Sequence, residues 1–138
     1  MKKSIFALAL LFVTTMTALA QQPSIPDPMV EPAYRKITME EAKQMMEAAE
    51  PFILLDVRTE EEFKKQHIEG AHLIPLNALA ERADAELPDK EAIILVYCQS
   101  GGRSANAAHA LFEMGYTNVH DFGGIIDWPY ETVSGEPE

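Results

Sequence analysis

The sequence predicts a three-layer α/β protein in which a mostly parallel sheet of about five strands is covered by helices on both faces. Short apolar runs rich in β-branched residues alternate with segments of helical periodicity. The runs Phe52–Leu55 and Ile93–Tyr97 are continuously apolar, as expected of parallel strands buried on both faces. In a chain of 138 residues, this alternation indicates a single domain.

The first twenty residues have the pattern of a secretory leader. Two lysines precede an apolar run over residues 5–13, and residues 18–20 form an A-x-A cleavage site. A membrane anchor is the alternative, but the apolar run is too short to cross a bilayer and ends in a threonine-rich stretch. We therefore expect cleavage after Ala20, export to the periplasm and no stable membrane association after cleavage.

A proline-rich linker is predicted between the leader and the domain. Residues 21–33 contain four prolines and few apolar side chains, a composition that favours an extended connection. The domain itself is expected over residues 34–138.

The chain is acidic. Its net charge of −11 becomes −13 without the two lysines of the leader. An acidic domain is a poor candidate for binding nucleic acid or an anionic lipid surface. We expect an anionic substrate to be attracted by local dipoles, against the field of the whole protein.

Two capping-box patterns predict helix starts in the first half of the domain. Thr38 is followed three residues later by Glu41, and Thr59 by Glu62. The first helix is expected to end near Ala49, and the second is short. The strands predicted here are Tyr34–Ile37 at the sheet edge, Phe52–Leu55 inside the sheet, and Leu73–Pro75, which the proline stops.

The second half of the domain repeats the alternation of helix and strand. A helix over residues 77–86 is predicted to face the core with Leu79, Ala80, Ala83 and Leu87. A helix over Ser104–Met114 is apolar nearly all round, so we expect it to be largely buried, with Gly115 as its C′ residue. The remaining predicted features are a last strand at Val119–Phe122, a tight turn at Gly123–Gly124 and Trp128 as a plug of the core.

One stretch organises the whole chain. The strand Ile93–Tyr97 ends at Cys98, the only cysteine, and a glycine-rich loop and a helix come next. Ligand sites of α/β folds lie at the carboxyl ends of strands, and loop amides at a helix N-terminus form an anion-binding cradle. Such a cradle lowers the pKa of a cysteine and favours the thiolate. We predict that Cys98 is a nucleophile and not a buried hydrophobe. With one cysteine, an intramolecular disulfide and a two-cysteine redox mechanism are excluded.

Two sets of residues suggest a metal site only weakly. Met39, Met45 and Met46 are candidate copper ligands in an exported protein, but their helical spacing is more typical of a core stripe. His67 and His72 lack further ligands at a recognisable spacing. We expect loop-packing histidines and no metal.

The motifs of the domain, taken in order, form a pattern. They are Leu55–Arg58, Glu61–Phe63, His67–Ala71 and Ile74–Pro75 in its first half, Val96–Cys98 with Gly102–Ser104 at the loop, and Gly115–Tyr116, Val119, Gly123–Gly124, Trp128 and Gly135–Pro137 towards its end. This pattern resembles the rhodanese-like domain family and covers nearly all of the expected mature domain. The resemblance implies a single-domain α/β sulfurtransferase whose matching cysteine carries a persulfide.

The length of the loop separates two chemistries in that family. Sulfurtransferases have four residues between the cysteine and the loop arginine, whereas phosphatases of the same fold have five. Here four residues separate Cys98 from Arg103. The smaller ring of amides favours a sulfur atom over a tetrahedral phosphate.

The expected reaction is sulfur transfer by two displacements at one covalent intermediate. Cys98 takes sulfane sulfur from a donor such as thiosulfate and passes it to cyanide or a thiol. In an exported compartment, a partner protein could also supply or accept the sulfur. No cofactor is expected. The anionic sulfur is expected to be bound by backbone N–H groups of the loop residues Gln99, Ser100, Gly101, Gly102, Arg103 and Ser104.

The arginines and Ser100 have more than one role open to them. Arg103 either attracts the anionic donor or pairs with Asp56 to brace the loop, and the pairing is slightly favoured. Ser100 either donates to sulfur or tolerates a turn. Asp56 and Arg58 are expected to support the site, with Arg58 pairing with a glutamate of its own region, namely Glu61, Glu62 or Glu69.

Two functions of other classes are the alternatives. The first is a phosphatase or arsenate reductase that uses the same cysteine loop, which the four-residue spacing disfavours. The second is a non-catalytic rhodanese-like binding module, which the presence of Cys98 disfavours.

Overall fold

The structure, a computed structural model, describes residues 34–138. The predicted leader over residues 1–20 and the predicted linker over residues 21–33 lie outside this part of the chain. Among residues 34–138, no helix combines the length and the apolar character needed to cross a membrane.

A five-stranded sheet forms the middle layer, as predicted. All neighbouring strands in it are parallel, and their spatial order is β1-β5-β4-β2-β3. The strands are β1 Tyr34–Lys36, β2 Phe52–Asp56, β3 His72–Leu73, β4 Ile93–Cys98 and β5 Val119–Gly124. The central strand is therefore β4, which ends on the cysteine.

Both capping boxes are confirmed. Thr38 is the N-cap of the first helix, and its side chain accepts from Glu41 N–H while the Glu41 carboxylate accepts from Thr38 N–H. Thr59 and Glu62 make the same reciprocal pair at the start of the second helix. The helices are α1 Met39–Glu47, α2 Glu60–Lys65, α3 Leu79–Glu86 and α4 Gly102–Glu113.

Each face of the sheet has its own apolar cluster, which gives the three layers. Along β4, side chains alternate between the faces because the period of a strand is two residues. Ile94, Val96 and Cys98 pack on one face with residues of α3 and α4. Leu95 and Tyr97 pack on the other with α1 and Trp128. The methionines of α1 pack against this second cluster, as a core stripe does.

Three local predictions were wrong. The segment 77–86 is divided into a 3-10 turn over Leu76–Ala78 and the helix α3, and Ala80 points to solvent. The helix α4 begins two residues earlier than predicted and is buried on one face only, with Phe112 40% exposed. A small residue such as alanine fits a solvent-facing helix surface as well as a buried one, so an alanine-rich pattern does not define a buried face.

Two shorter elements differ in their bounds. Strand β3 is His72–Leu73 and stops before the proline. Gly123–Gly124 are the last residues of β5 and not a separate turn, although Gly123 has φ +94° and the pairing of β4 with β5 shifts register at this end. The helix α4 ends as predicted, with Gly115 at φ +94°.

Candidate active site

Cys98 lies at the carboxyl end of the central strand, beneath the loop that leads into α4. Its side chain is 1% exposed and contacts the first apolar cluster. The loop nevertheless contacts the sulfur, because Gly101 N–H donates to Cys98 Sγ at 3.0 Å. Gly101 has φ +106°, a conformation that favours glycine, and it is the residue before the first turn of α4. The cysteine therefore sits between the core and a ring of amides.

The surroundings of Cys98 act on its pKa in opposite directions. Burial raises the pKa, since the thiolate is less well solvated than in water. The Ser104 hydroxyl and the backbone N–H groups of Ser104, Gly101 and Ser100, which surround the sulfur, outweigh burial, so the pKa lies below that of an ordinary thiol. The direction is the one that the sequence predicts.

On the β2 side, a buried ion pair supports the first residue of the loop. Arg58 donates from Nε to both oxygens of Asp56, at 3.0 and 3.1 Å, and from Nη2 to Asp56 Oδ2 at 2.7 Å. Both side chains are buried, at 2% and 0% exposure. The guanidinium also donates to Gln66 O at 2.7 Å and to Gln99 Oε1 at 3.3 Å. Asp56 and Arg58 thus contact the loop through Gln99.

The expected partners of the two arginines are wrong. Arg58 pairs with Asp56 and not with Glu61, Glu62 or Glu69. Arg103 pairs with Glu62 and not with Asp56, through two bonds of 2.7 Å. Asp56 and Arg58 are two residues apart at the end of one strand, which places both side chains on the same face of the chain.

Glu62 is the site residue that sequence reasoning missed in this role. The capping box predicts Glu62 at the third position of α2, but it carries no sign of a partner 41 residues further along the chain. The bond to Arg103, helped by the N–H and hydroxyl of Thr59, lowers the pKa of Glu62 to about 2. The pair ties the start of α4 to the start of α2, and it compensates the positive charge of Arg103.

On the β5 side, the backbone of the strand end forms a wall against the loop. Ile126 N–H donates to Gln99 O at 3.2 Å. The hydroxyl of Ser104 donates to Gly101 O at 3.0 Å, and its Oγ also lies 3.3 Å from Gly123 O. A Cβ on Gly124 would lie 2.5 Å from Ser100 Cα and closer still to the carbonyl oxygen of Gln99. Strand end and loop are thus in direct backbone contact.

The two histidines considered as metal ligands are engaged in other contacts. His67 stacks on Phe63 at 3.7 Å between ring centroids, and its Nδ1 is 2.8 Å from Phe63 O. His72 Nε2 lies 3.0 Å from Glu86 Oε1. Within residues 34–138, no three side chains of the metal-binding types are grouped closely enough to hold an ion.

This arrangement defines a class of protein. A parallel α/β sheet places one cysteine at the carboxyl end of its central strand, against a loop of amides that opens a helix. Groups of this kind stabilise an anion that forms on or next to the cysteine sulfur. A covalent intermediate on Cys98 is therefore chemically accessible.

Comparison with known proteins identifies the family within this class. The profile described as "Rhodanese-like domain" matches residues 38–129. The chain is 42% identical over 88 residues to thiosulfate sulfurtransferase PspE of Escherichia coli, a match that covers 64% of this chain and 83% of the relative. It is 37% identical over 109 residues to adenylyltransferase and sulfurtransferase MOCS3-1 of Zea mays, where the match covers 75% of this chain and 23% of that much longer relative.

Solved structures agree with the sequence comparison. A structure described as a rhodanese with anions from E. coli has a TM-score of 0.58 and 39% identity, and the match covers 62% of this chain and all of that one. The rhodanese-like domain protein from Staphylococcus aureus has a TM-score of 0.63 and 31% identity, covering 70% of this chain and 93% of that one. The chain belongs to the rhodanese-like domain family, and it is similar to sulfurtransferases within it.

Proposed function

We propose that this protein transfers sulfane sulfur from a donor such as thiosulfate to cyanide or a thiol, through a persulfide on Cys98. The observation that carries the proposal is the hydrogen bond from Gly101 N–H to Cys98 Sγ at 3.0 Å. This bond stabilises the thiolate before reaction and a negatively charged sulfur during it. The lowered pKa of Cys98 favours the nucleophilic form at neutral pH.

The reaction consists of two displacements that balance without an added oxidant or a cofactor. The Cys98 thiolate attacks the outer sulfur of thiosulfate, a new S–S bond forms, and the S–S bond of the donor breaks as sulfite leaves with the electron pair. The acceptor then attacks the terminal sulfur of the persulfide, and the broken S–S bond returns its electron pair to Cys98. The first step removes no proton once the Cys98 thiolate exists, and the second removes none when the acceptor is cyanide or a thiolate, so no general base is required for these acceptors.

The loop residues Gln99 to Ser104 are proposed to bind the anionic donor and the persulfide through their backbone N–H groups. Gly101 is the residue whose N–H already contacts the sulfur. Arg103 carries a charge that Glu62 compensates, so the amides and the start of α4 supply most of the attraction for the donor. Asp56 and Arg58 support the loop from the β2 side.

The relatives support the choice of sulfur chemistry. The name of PspE describes a thiosulfate sulfurtransferase, and a solved rhodanese from E. coli is described with anions. The spacing of four residues between Cys98 and Arg103 agrees with transfer of sulfur and not of phosphate.

Intact mass spectrometry tests the proposal directly. After incubation with thiosulfate, we expect a mass increase of about 32 Da, the covalent sulfur intermediate, which disappears when cyanide is added. Thiocyanate should form with the wild-type protein and not with Cys98→Ala. Because Cys98 is the only cysteine, the added sulfur needs no further mapping. Phosphate release from a phosphate ester without thiocyanate would assign the phosphatase function, and inactivity towards both would assign a binding module.

We also propose that the protein acts after export, with small-molecule donors and acceptors or with a protein sulfur partner. Support comes from the leader pattern of residues 1–20. Mass spectrometry of protein from the periplasmic fraction should show a chain that begins at Gln21. A chain that retains Met1 and stays with the membrane would contradict this proposal.

A further inference from the structure

A buried carboxylate on β5 has no part in the proposed chemistry. Asp121 is 3% exposed and lies beside Val96 of β4, two residues before Cys98 in that strand. Its Oδ1 accepts from Gly123 N–H at 2.9 Å. Gly123 has φ +94°, and the pairing of β5 with β4 changes register at this point. The carboxylate therefore holds the residue at which the strand changes direction.

The chain after this bend is the wall of the loop over residues 99–104. A Cβ on Gly101 would lie 3.7 Å from Gly123 Cα. Gly124 packs on Gln99 and Ser100 so closely that no side chain fits between them. Ile126 N–H then donates to Gln99 O at 3.2 Å. A rotation of the backbone at Gly123 would reach the loop through Gly124, because Gly124 has no free space against Gln99 and Ser100.

We propose that Asp121 is a positioning residue for Cys98. By fixing the bend at Gly123, its carboxylate sets the wall against which the loop rests, and through it the direction of the Gly101 N–H bond towards the sulfur. This proposal rests on the proposed function in one respect only, namely that Cys98 is the nucleophile. It adds a residue that touches neither the cysteine nor the substrate.

Two effects of Asp121 on the thiol have opposite signs and are separable by mutation. A negative charge on a neighbouring strand disfavours a thiolate in general, so loss of the charge is expected to lower the pKa of Cys98 or leave it unchanged. The hydrogen bond between Asp121 and Gly123 supports the loop, so loss of the bond raises that pKa. Asp121→Asn removes the charge and retains an oxygen acceptor of the same shape, whereas Asp121→Ala removes both. The difference between the two variants isolates the hydrogen bond.

Asp89 offers a matched control. Its Oδ1 also accepts from the backbone N–H two residues further on, Glu91, at 2.9 Å. Asp89 is exposed and precedes β4, at the end of that strand opposite to Cys98. Asp89→Ala therefore removes the same kind of local bond away from the loop.

The experiment measures the rate of iodoacetamide alkylation of the single thiol against pH, together with sulfite release from thiosulfate. We expect Asp121→Asn to keep the Cys98 pKa at or slightly below the wild-type value, and Asp121→Ala to show a pKa about one unit above that of Asp121→Asn. The rate of sulfite release at neutral pH should be up to about tenfold lower in Asp121→Ala than in Asp121→Asn, in line with a smaller thiolate fraction. Asp89→Ala should resemble the wild type in both measurements.

Other outcomes overturn the proposal. Equal Cys98 pKa values in the two Asp121 variants, with only the melting temperature lowered in Asp121→Ala, would show that Asp121 is merely structural. Should Asp121→Ala not fold, Asp121→Val takes its place, because a β-branched side chain suits a strand and also removes the hydrogen bond: a Cys98 pKa above that of Asp121→Asn supports the proposal, and an equal value overturns it. The alkylation readout does not depend on sulfur transfer, so a wild-type protein that forms no persulfide would refute the proposed function and leave this test intact.

Discussion

The two strands that flank β4 hold the loop over residues 99–104 in different ways. On the β2 side, contact is made by side chains: the guanidinium of Arg58, fixed by Asp56, reaches Gln99 at 3.3 Å. On the β5 side, contact is made by backbone: Gly124 lies directly on Gln99 and Ser100. One side depends on buried charge and the other on the absence of a Cβ.

This difference predicts which substitutions are tolerated on each side of the loop. A buried ion pair is stable only while both partners are present, since a single buried charge loses its compensation. A backbone contact is insensitive to charge but has no room for added volume. Mutations on the β2 side should therefore act mainly on stability, and mutations on the β5 side mainly on the geometry of the loop.

The largest expected effect is on the β2 side. Arg58→Met leaves the carboxylate of Asp56 buried without its partner, and we expect the free energy of unfolding to fall by about 3–5 kcal/mol. Urea denaturation at pH 7 measures it. Arg82→Met is the control, because Arg82 pairs with Glu86 at an exposed site where ion pairs contribute about 0–1 kcal/mol.

A double variant sharpens this test. Asp56→Leu together with Arg58→Met removes both charges, and it should recover part of the stability lost in Arg58→Met because no unpaired charge remains buried. Equal losses in the single and double variants would show that the side chains contribute packing and hydrogen bonds to the loop instead of charge compensation.

The next effect is on the β5 side. In Gly124→Ala, the new methyl group would lie 2.5 Å from Ser100 Cα, so the loop must move. A displacement of about 1 Å of a reacting group costs on the order of 100-fold in rate, and we expect a loss of this size in kcat/KM for thiosulfate. The pKa of Cys98 should rise at the same time, because the Gly101 N–H no longer points at the sulfur.

Gly115→Ala is the control for the loss of a glycine without a steric clash. Gly115 has φ +94°, unlike Gly124 with φ −119°, and a Cβ on Gly115 would meet nothing within 4 Å. We expect Gly115→Ala to lower stability by about 1 kcal/mol and to leave kcat unchanged. Normal turnover in Gly124→Ala would argue against a rigid backbone wall.

The comparison also explains what the sequence could predict. The strand β4, the capping boxes at Thr38 and Thr59, and the position of Cys98 at a strand end are predictable from local patterns, because each depends on residues close together in the chain. Contacts between distant residues leave no such local pattern. The Arg103–Glu62 pair joins residues 41 apart, and the partner expected for Arg103 from the sequence was Asp56.

The contacts on the β5 side could not be predicted from the sequence for a different reason. Gly123 and Gly124 predict a turn equally well as a bulged strand end, because both need glycine. That Gly124 packs on Ser100 becomes visible only when β5 and β4 are side by side. Asp121 precedes the glycines by two residues and resembles an ordinary turn aspartate until its burial is known.

A smaller effect is expected at the half-buried ion pair between α2 and α4. The pKa of Glu62 in the folded protein is about 2, below its usual value of 4.5. A lowered pKa stabilises the fold above pH 4.5, and this stabilisation is lost as the pH falls from 4.5 towards 2. Since Glu62 and Arg103 are 30% and 35% exposed, solvent screening leaves about 1–2 kcal/mol for Glu62→Gln to remove at pH 7.

Glu61→Gln is the matched control on the same helix. Glu61 pairs with Lys65 at a site where both side chains are more than 70% exposed. Its replacement should leave stability almost unchanged, because fully exposed ion pairs contribute little. Thermal unfolding at pH 7 and at pH 3 compares the two variants, and a Glu62→Gln protein with the wild-type dependence on acid would show that the pair does not anchor the loop.

The smallest expected effect is the pH dependence of stability that comes from His120 on strand β5. Burial, and to a lesser degree the charge of Arg35, lowers the pKa of His120. Its Nε2 lies 2.7 Å from Asn118 Oδ1, while its buried Nδ1 has no hydrogen-bond partner within the described residues. The unfolded chain therefore binds a proton at a pH where the folded protein does not, and stability falls as the pH drops below about 6.5, the ordinary value for histidine.

His120→Phe should remove this dependence. Between pH 7.5 and pH 5.5, the free energy of unfolding should fall in both proteins, and the fall should be smaller in His120→Phe than in the wild type. The difference between the two falls should be up to about 1 kcal/mol, since one bound proton changes stability by about 1.4 kcal/mol per pH unit. Urea denaturation at the two pH values measures the difference, with the exposed His109→Gln as control. Acid sensitivity that begins near pH 6.5 would then belong to His120 on β5, and acid sensitivity below pH 4.5 to the Glu62–Arg103 pair between α2 and α4, so these two contributions are separable by pH alone. An unchanged slope in His120→Phe would assign the upper transition to another group.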